Sequence, residues 1–114
     1  MKIKLQILLL IAMTSLFSTA FAGTDCKTVN AHVVSIMPWD DGATFINLDS
    51  TNDCGCTIAT RFGFYPSDKN AKTFLAEALT AFATNRAITI YGNAGCSVHN
   101  NTASVFTVIL GGGM

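Results

Sequence analysis

The most chemically loaded stretch of the sequence is the turn Trp39-Asp40-Asp41. An exposed indole offers a flat apolar face, and neighbouring carboxylates accept hydrogen bonds, so the trio suits a hydroxyl-rich ligand. Paired carboxylates can also do acid–base chemistry. Glycoside hydrolases, however, hold them across a cleft at a fixed separation, which neighbours in one turn do not achieve. The bland alternative is that Trp39 packs on the rim of the fold while the aspartates solvate a hairpin. Arg61 and Tyr65 form a second candidate pair, two strand positions able to face a partner. His32 and His99 have no carboxylate at a telling spacing, so a strand-edge and a loop histidine are the default reading. No nucleophile–base pair and no metal-ligand cluster stands out. A catalytic role is therefore not expected, and no cofactor or metal is implied.

Four cysteines, Cys26, Cys54, Cys56 and Cys96, carry the other recognisable chemistry. Cys-x-Cys could give a metal two thiolates, but nothing nearby completes a tetrahedral set. An even count in a small exported chain reads as two disulfides. Cys54 and Cys56 are separated by Gly55 alone, too close for an unstrained bridge, so each must reach Cys26 or Cys96.

Export is read from the first 22 residues. Lys2 and Lys4 precede an apolar run, and Ala20-Phe21-Ala22 fits a cleavage site, leaving Gly23 as the first mature residue. The run is short of the roughly 20 apolar residues that span a bilayer. The expected organisation is thus a signal peptide at 1–22, one domain at 23–110 and a loose tail at 111–114, in the periplasm or outside the cell. The chain has 114 residues with seven basic and seven acidic side chains. Losing Lys2 and Lys4 leaves five basic against all seven acidic, a net charge of −2. That argues against nucleic acid, which rewards clustered Lys and Arg, and against adsorption to anionic lipid. No stable membrane insertion is expected.

The elements that must position these residues follow from periodicity. Val29 to Met37 is β-branched and reads as a strand. Pro38 to Gly42 reads as a turn, and Ala43 to Leu48 as the returning strand. Thr57 to Tyr65 reads as a third strand, with Phe62 and Phe64 on one face and Arg61 and Tyr65 on the other. The period then changes from 2 to 3.6. Ala71, Phe74, Leu75, Ala78, Leu79 and Phe82 form one apolar helix stripe, with Ser67 a candidate N-cap and Asn85 a candidate stop. Strands resume at Arg86 to Tyr91 and Thr102 to Leu110, the latter with Phe106, Val108 and Leu110 expected on one face. The order β-β-β-α-β-β predicts a mainly β chain with one helix: a five-stranded Greek-key barrel of the OB-fold kind, stapled by disulfides. In such a barrel all four sulfurs gather at one end and the Trp39 turn at the other. That geometry favours Cys26–Cys54 with Cys56–Cys96 over the swapped pairing.

The passage Phe74 to Tyr91 resembles the helix-to-strand passage of small exported bacterial OB-fold proteins, among them the B subunits of AB-type toxins related to subtilase cytotoxin. Their pattern is an apolar helix ending near Ala-x-Ala-Thr-Gly-Lys, then an alternating strand and a cysteine loop. Here Asn85-Arg86 stands in place of Gly-Lys. The resemblance covers about 25 residues well and implies the fold, with no site residue transferable. It implies a non-catalytic binding module for a glycan or a protein. A further alternative is the receptor-binding subunit of a pentameric toxin, with a homo-oligomeric ring and a catalytic A-subunit partner. A small secreted enzyme is the third reading.

Overall fold

The structure, a computed structural model, describes residues 26–111. The expected signal peptide and residues 112–114 of the expected tail lie outside the described residues. Six strands and one helix occur among them, in the order β1 Cys26–Ala31, β2 Val33–Pro38, β3 Thr44–Leu48, β4 Arg61–Phe64, α1 Ala71–Thr84, β5 Ile88–Gly92 and β6 Ala103–Leu110. The chain is thus mainly β with one helix. The strands form one mixed sheet in the order β1-β5-β6-β4-β3-β2. Its pairings are antiparallel except β4 with β6, which is parallel. The outermost strands, β1 and β2, are consecutive in the chain with His32 alone between them.

Six strands stand where five were expected because the first run is divided. Asn30 adopts a left-handed conformation (φ 52°), and the register slips between Thr28 and Ala31. Asn tolerates that conformation better than a β-branched residue would. The chain therefore bends. Its first half ladders with β5 and its second half with β3.

The third strand is also shorter than its apolar pattern suggested, starting at Arg61 rather than Thr57. Disulfides pull Cys54 toward Cys26 and Cys56 toward Cys96, and Gly55 turns between them at φ 80°. Residues 57–60 are instead held by single bonds, such as Ile58 N–H to the Asn101 carbonyl (3.0 Å). The pairing is the one favoured from the barrel geometry. Cys26–Cys54 clips a loop to the start of β1, Cys56–Cys96 joins two loops, and Gly92 sits beneath the first of them. A Cβ on Gly92 would lie 2.7 Å from Phe62 Cε1 and 2.8 Å from Cys26 Sγ.

The core is built from Ile46, Phe62, Ile88 and Ile90, all fully buried, with Phe64 and Phe74 stacked edge to face at 5.9 Å. The helix buries Ala71, Phe74, Ala78 and Ala81. Leu79 and Phe82, expected inside, are instead 49% and 52% exposed. α1 packs chiefly on β2 and β6, and small residues at spacings of three and four let it lie close to them. The larger side chains on its flank are then turned to solvent. Ser67 does not cap the helix. Asn70, left-handed at φ 66°, precedes it, and Asn85 closes it in the same conformation. Phe106 is corrected too. The β5–β6 register slips between Tyr91 and Gly92, leaving Phe106 without a partner. Val105 and Val108 both face inward while Phe106 points out.

Candidate functional site

The turn between β2 and β3 is built by its own side chains. Gly42 N–H donates to the Trp39 carbonyl (3.0 Å), and Gly42 sits at φ 92°. Asp41 Oδ1 accepts the Ala43 N–H (3.0 Å), the local bond aspartate makes in turns. A Cβ on Gly42 would meet the Pro66 ring at 3.4 Å, so the turn leans on the segment after β4.

Above this turn lies the connection between β5 and β6, residues 93–102. A disulfide ties it at Cys96, and an isolated bridge between Val98 and Thr102 closes its tip. His99 and Asn100, at that tip, are both left-handed (φ 53° and 59°). The hairpin so formed delivers the His99 ring onto Phe45, at 5.1 Å between ring centroids, and beside Trp39 at 6.2 Å. Trp39 meets Phe45 edge-on at 5.8 Å. His99 Nε2 lies 2.6 Å from Asp41 Oδ2. The staple and the Trp39 rim therefore share a loop, a connection the sequence did not suggest.

Phe45, 1% exposed, anchors the cluster on the face of β3 away from the main core, with Ala43 and Val98 packed around it and Met37 and Tyr65 at its margin. The Arg61 guanidinium lies over the Phe45 ring, 4.0 Å from its centroid. Its Nε donates to Thr102 Oγ1 and its Nη2 to Asn101 Oδ1, both at 2.9 Å. Arg61 is thus turned inward and holds the loop rather than facing a partner. Burial draws its pKa below the ordinary value. The Asp41 carboxyl is likewise lowered, first by the Ala43 N–H and then by His99.

Of the five candidate site residues, the structure gathers Trp39, Asp41 and Arg61 around Phe45. Tyr65 lies at the edge of that group. Asp40 is exposed at the tip of the turn. Phe45 is not singled out by the sequence, and His99 reads there as a loop histidine. His99 lies 58 positions along the chain from Asp41. The one available cue was Asn100-Asn101 between Val98 and Thr102, a pair suited to left-handed turn positions.

Chemically, a carboxylate-oriented imidazole is half of a general base. The His99 ring is instead wedged between Trp39, Phe45 and Asp41, and no hydroxyl or thiol among the described residues bonds its other nitrogen. No group of three or more potential metal ligands is gathered among the described residues. What remains offered outward is Trp39, 50% exposed and set in T-shaped contact with Phe45 and His99.

Beyond Tyr65 the surface dips into a groove of about 710 Å³ between the segment 65–70 and the start of β6. Asn93, Ser104, Phe106 and Thr107 line its far wall. No helix among the described residues is long and apolar enough to cross a membrane. No family model, curated protein or solved structure matches this chain. Two disulfides point to a non-cytoplasmic protein.

Proposed function

We propose that the chain is an exported, non-catalytic binding module on an OB-fold-like barrel, recognising a glycan or a protein at the rim formed by the β2–β3 turn and the β5–β6 loop. The barrel reading takes β1 and β2 as one bent strand. The sheet order then runs as in a five-stranded OB barrel, with the helix between the third and fourth strands. OB barrels bind oligonucleotides and oligosaccharides beside the loops that correspond to these two connections. The net charge of −2 left once the leader with Lys2 and Lys4 is removed disfavours the first class. Export draws on the leader from Lys2 to Ala22 and on the two disulfides.

The observation that carries the reading is the indole of Trp39, half exposed yet fixed by Phe45 and His99. A rigid aromatic costs little entropy on binding. The test is a glycan array, alongside capture of secreted or surface proteins, with wild type and Trp39→Ala. The variant should lose the signal at a stability cost of about 1 kcal/mol, the scale of its aromatic contacts. Binding unchanged in Trp39→Ala overturns the rim as the site.

A second reading, the receptor-binding subunit of a toxin-like ring, is favoured by one observation. Leu79 and Phe82 stand half exposed on one flank of α1, apolar surface that a second copy would cover. Size-exclusion chromatography at a fivefold mass would support it, and a monomer at every concentration would dismiss it.

A further inference from the structure

We propose that the groove beside Tyr65 is a saccharide subsite that seats a single pyranose ring. The proposal rests on the binding-module reading above and adds to it a ligand class and a location distinct from Trp39.

The groove opens because β4 and β6 part. Their ladder registers at Phe62–Ala103 and Gly63–Ser104. Beyond that β4 ends, and Tyr65 to Asn70 swing toward the helix. Its volume, about 710 Å³, lies within the range of small-molecule sites. Its walls are mostly neutral: hydroxyls and amides, with one Asp and one Lys at the mouth. That balance selects neither anions nor cations.

Two features match a pyranose, which has an apolar C–H face and a rim of hydroxyls. The first is Phe106, 51% exposed, pushed into the groove by the irregular register opposite Tyr91 and Gly92. Its ring supplies the apolar platform. The second is a prearranged polar pair on the wall. Asn93 is clamped, its N–H donating to the Ser104 carbonyl (3.0 Å) and its Nδ2 to Ser104 Oγ (2.9 Å). Asn93 Oδ1 is left as an acceptor and the Ser104 hydroxyl as a donor, and neither has a partner among the described residues. An acceptor and a donor fixed side by side suit two neighbouring sugar hydroxyls. Tyr65 also lines the groove, and with Val98 it joins the groove to the Phe45 cluster.

An extended peptide is the competing occupant, since a strand edge invites strand addition. The bulge at Phe106 interrupts that edge where a peptide would have to ladder, so the saccharide is favoured.

The experiment is amide chemical-shift mapping on the disulfide-bonded, isotope-labelled protein. Glucose, galactose, mannose and N-acetylglucosamine are added separately at millimolar concentration. At least one should move Asn93, Ser104 and Thr107 together. Phe106→Ala should weaken that response roughly tenfold or more. Ser104→Ala should weaken it too, while each variant keeps the wild-type spectrum elsewhere. Silence of the groove amides with every sugar overturns the proposal, as do shifts that persist undiminished in Phe106→Ala. A capped valine-rich hexapeptide moving these amides where sugars do not would overturn the saccharide assignment. Shifts confined to Trp39, Asp41 and His99 would sink the groove while leaving the rim reading standing. That reading is judged separately by Trp39→Ala.

Discussion

The rim around Trp39 and the groove beside Tyr65 are neighbours, yet their polar groups are in opposite conditions. At the rim, Asp41 is bonded to Ala43 and His99, and Arg61 to Asn101 and Thr102. In the groove, Asn93 donates to Ser104, and neither Asn93 Oδ1 nor the Ser104 hydroxyl proton has a partner among the described residues. The residues that look most reactive in the sequence are those that satisfy one another in the fold. The modest residues, an Asn, a Ser and a Phe, keep their chemistry available. Charge is costly to leave unpaired near a buried ring, so a charged cluster tends to close on itself. A neutral wall carries no such penalty.

Phe45 is the sharpest test of that contrast, because rim residues converge on it while the groove touches it through Tyr65 and Val98. Phe45→Ala should cost about 3–5 kcal/mol, as for other buried aromatics. It should also release the Arg61 and His99 contacts, seen as altered fluorescence of Trp39, the only tryptophan in the chain. A loss below about 1 kcal/mol in denaturant melts would mean the rim is a surface decoration rather than a second core.

The Cys56–Cys96 bridge comes next. It ties the loop that carries His99, with a sequence separation of 40 between its ends. Removing it as the double Ser variant should cost about 2–4 kcal/mol. Removing Cys26–Cys54, which lies at the start of β1, should cost a comparable amount and leave the Trp39 emission nearly native. Equal emission changes in both variants would dissolve the distinction between a stapled base and a clasped rim.

Acid should act on the rim through Asp41. The folded Asp41 carboxyl titrates below its ordinary value, chiefly through the Ala43 N–H and then His99. A depressed carboxyl stabilises the folded state above its unfolded pKa, near 4, and loses that contribution as pH falls through the lower folded value. Trp39 fluorescence should change as pH falls below about 4 and the Asp41 carboxyl takes up its proton. Asp41→Asn keeps the shape without the charge and should flatten that acid response. An identical acid transition in Asp41→Asn would move its origin elsewhere.

Much of the fold was legible because it depends on local periodicity. The helix from Ala71, its stop at Asn85 and the inward Ile88 and Ile90 are all properties of short windows. So is the turn at Asp41-Gly42. The disulfide pairing was legible through topology, as strand direction brings Cys26 near Cys54. What failed depends on long-range fit. No window shows that Asn30 will bend the first strand, or that two disulfides will delay β4. Nor does it show which flank of an apolar helix will face out. Leu79 makes the point quantitatively: half exposed, its change to Ala should cost about 1 kcal/mol or less, against about 3–5 for Phe74. At the candidate site, residue type alone singled out Trp39, Asp40, Asp41, Arg61 and Tyr65, of which the fold gathers Trp39, Asp41 and Arg61 around Phe45. Residue type does not single out Phe45 and leaves His99 as a loop histidine, because only the folded sheet brings the β5–β6 loop onto β3.

The smallest expected effect belongs to the groove. Phe106 projects from a bulge, half in solvent, and supports no core contact that its removal would empty. Phe106→Ala should therefore change stability by no more than about 0.5 kcal/mol, the range for surface positions. Trp39 emission and its acid response should both match wild type, since Phe106 meets neither Asp41 nor His99. The contrast with Phe45 is the useful quantity. Both are phenylalanines on strands of one sheet, one closing the rim and one lining the groove. Thermal melts of the two variants should thus diverge by several kcal/mol in the order Phe45 far above Phe106. If Phe106→Ala proved comparably destabilising, the bulge would be holding β6 in place. The groove would then be a by-product of that packing, with no surplus side chain to offer a ligand.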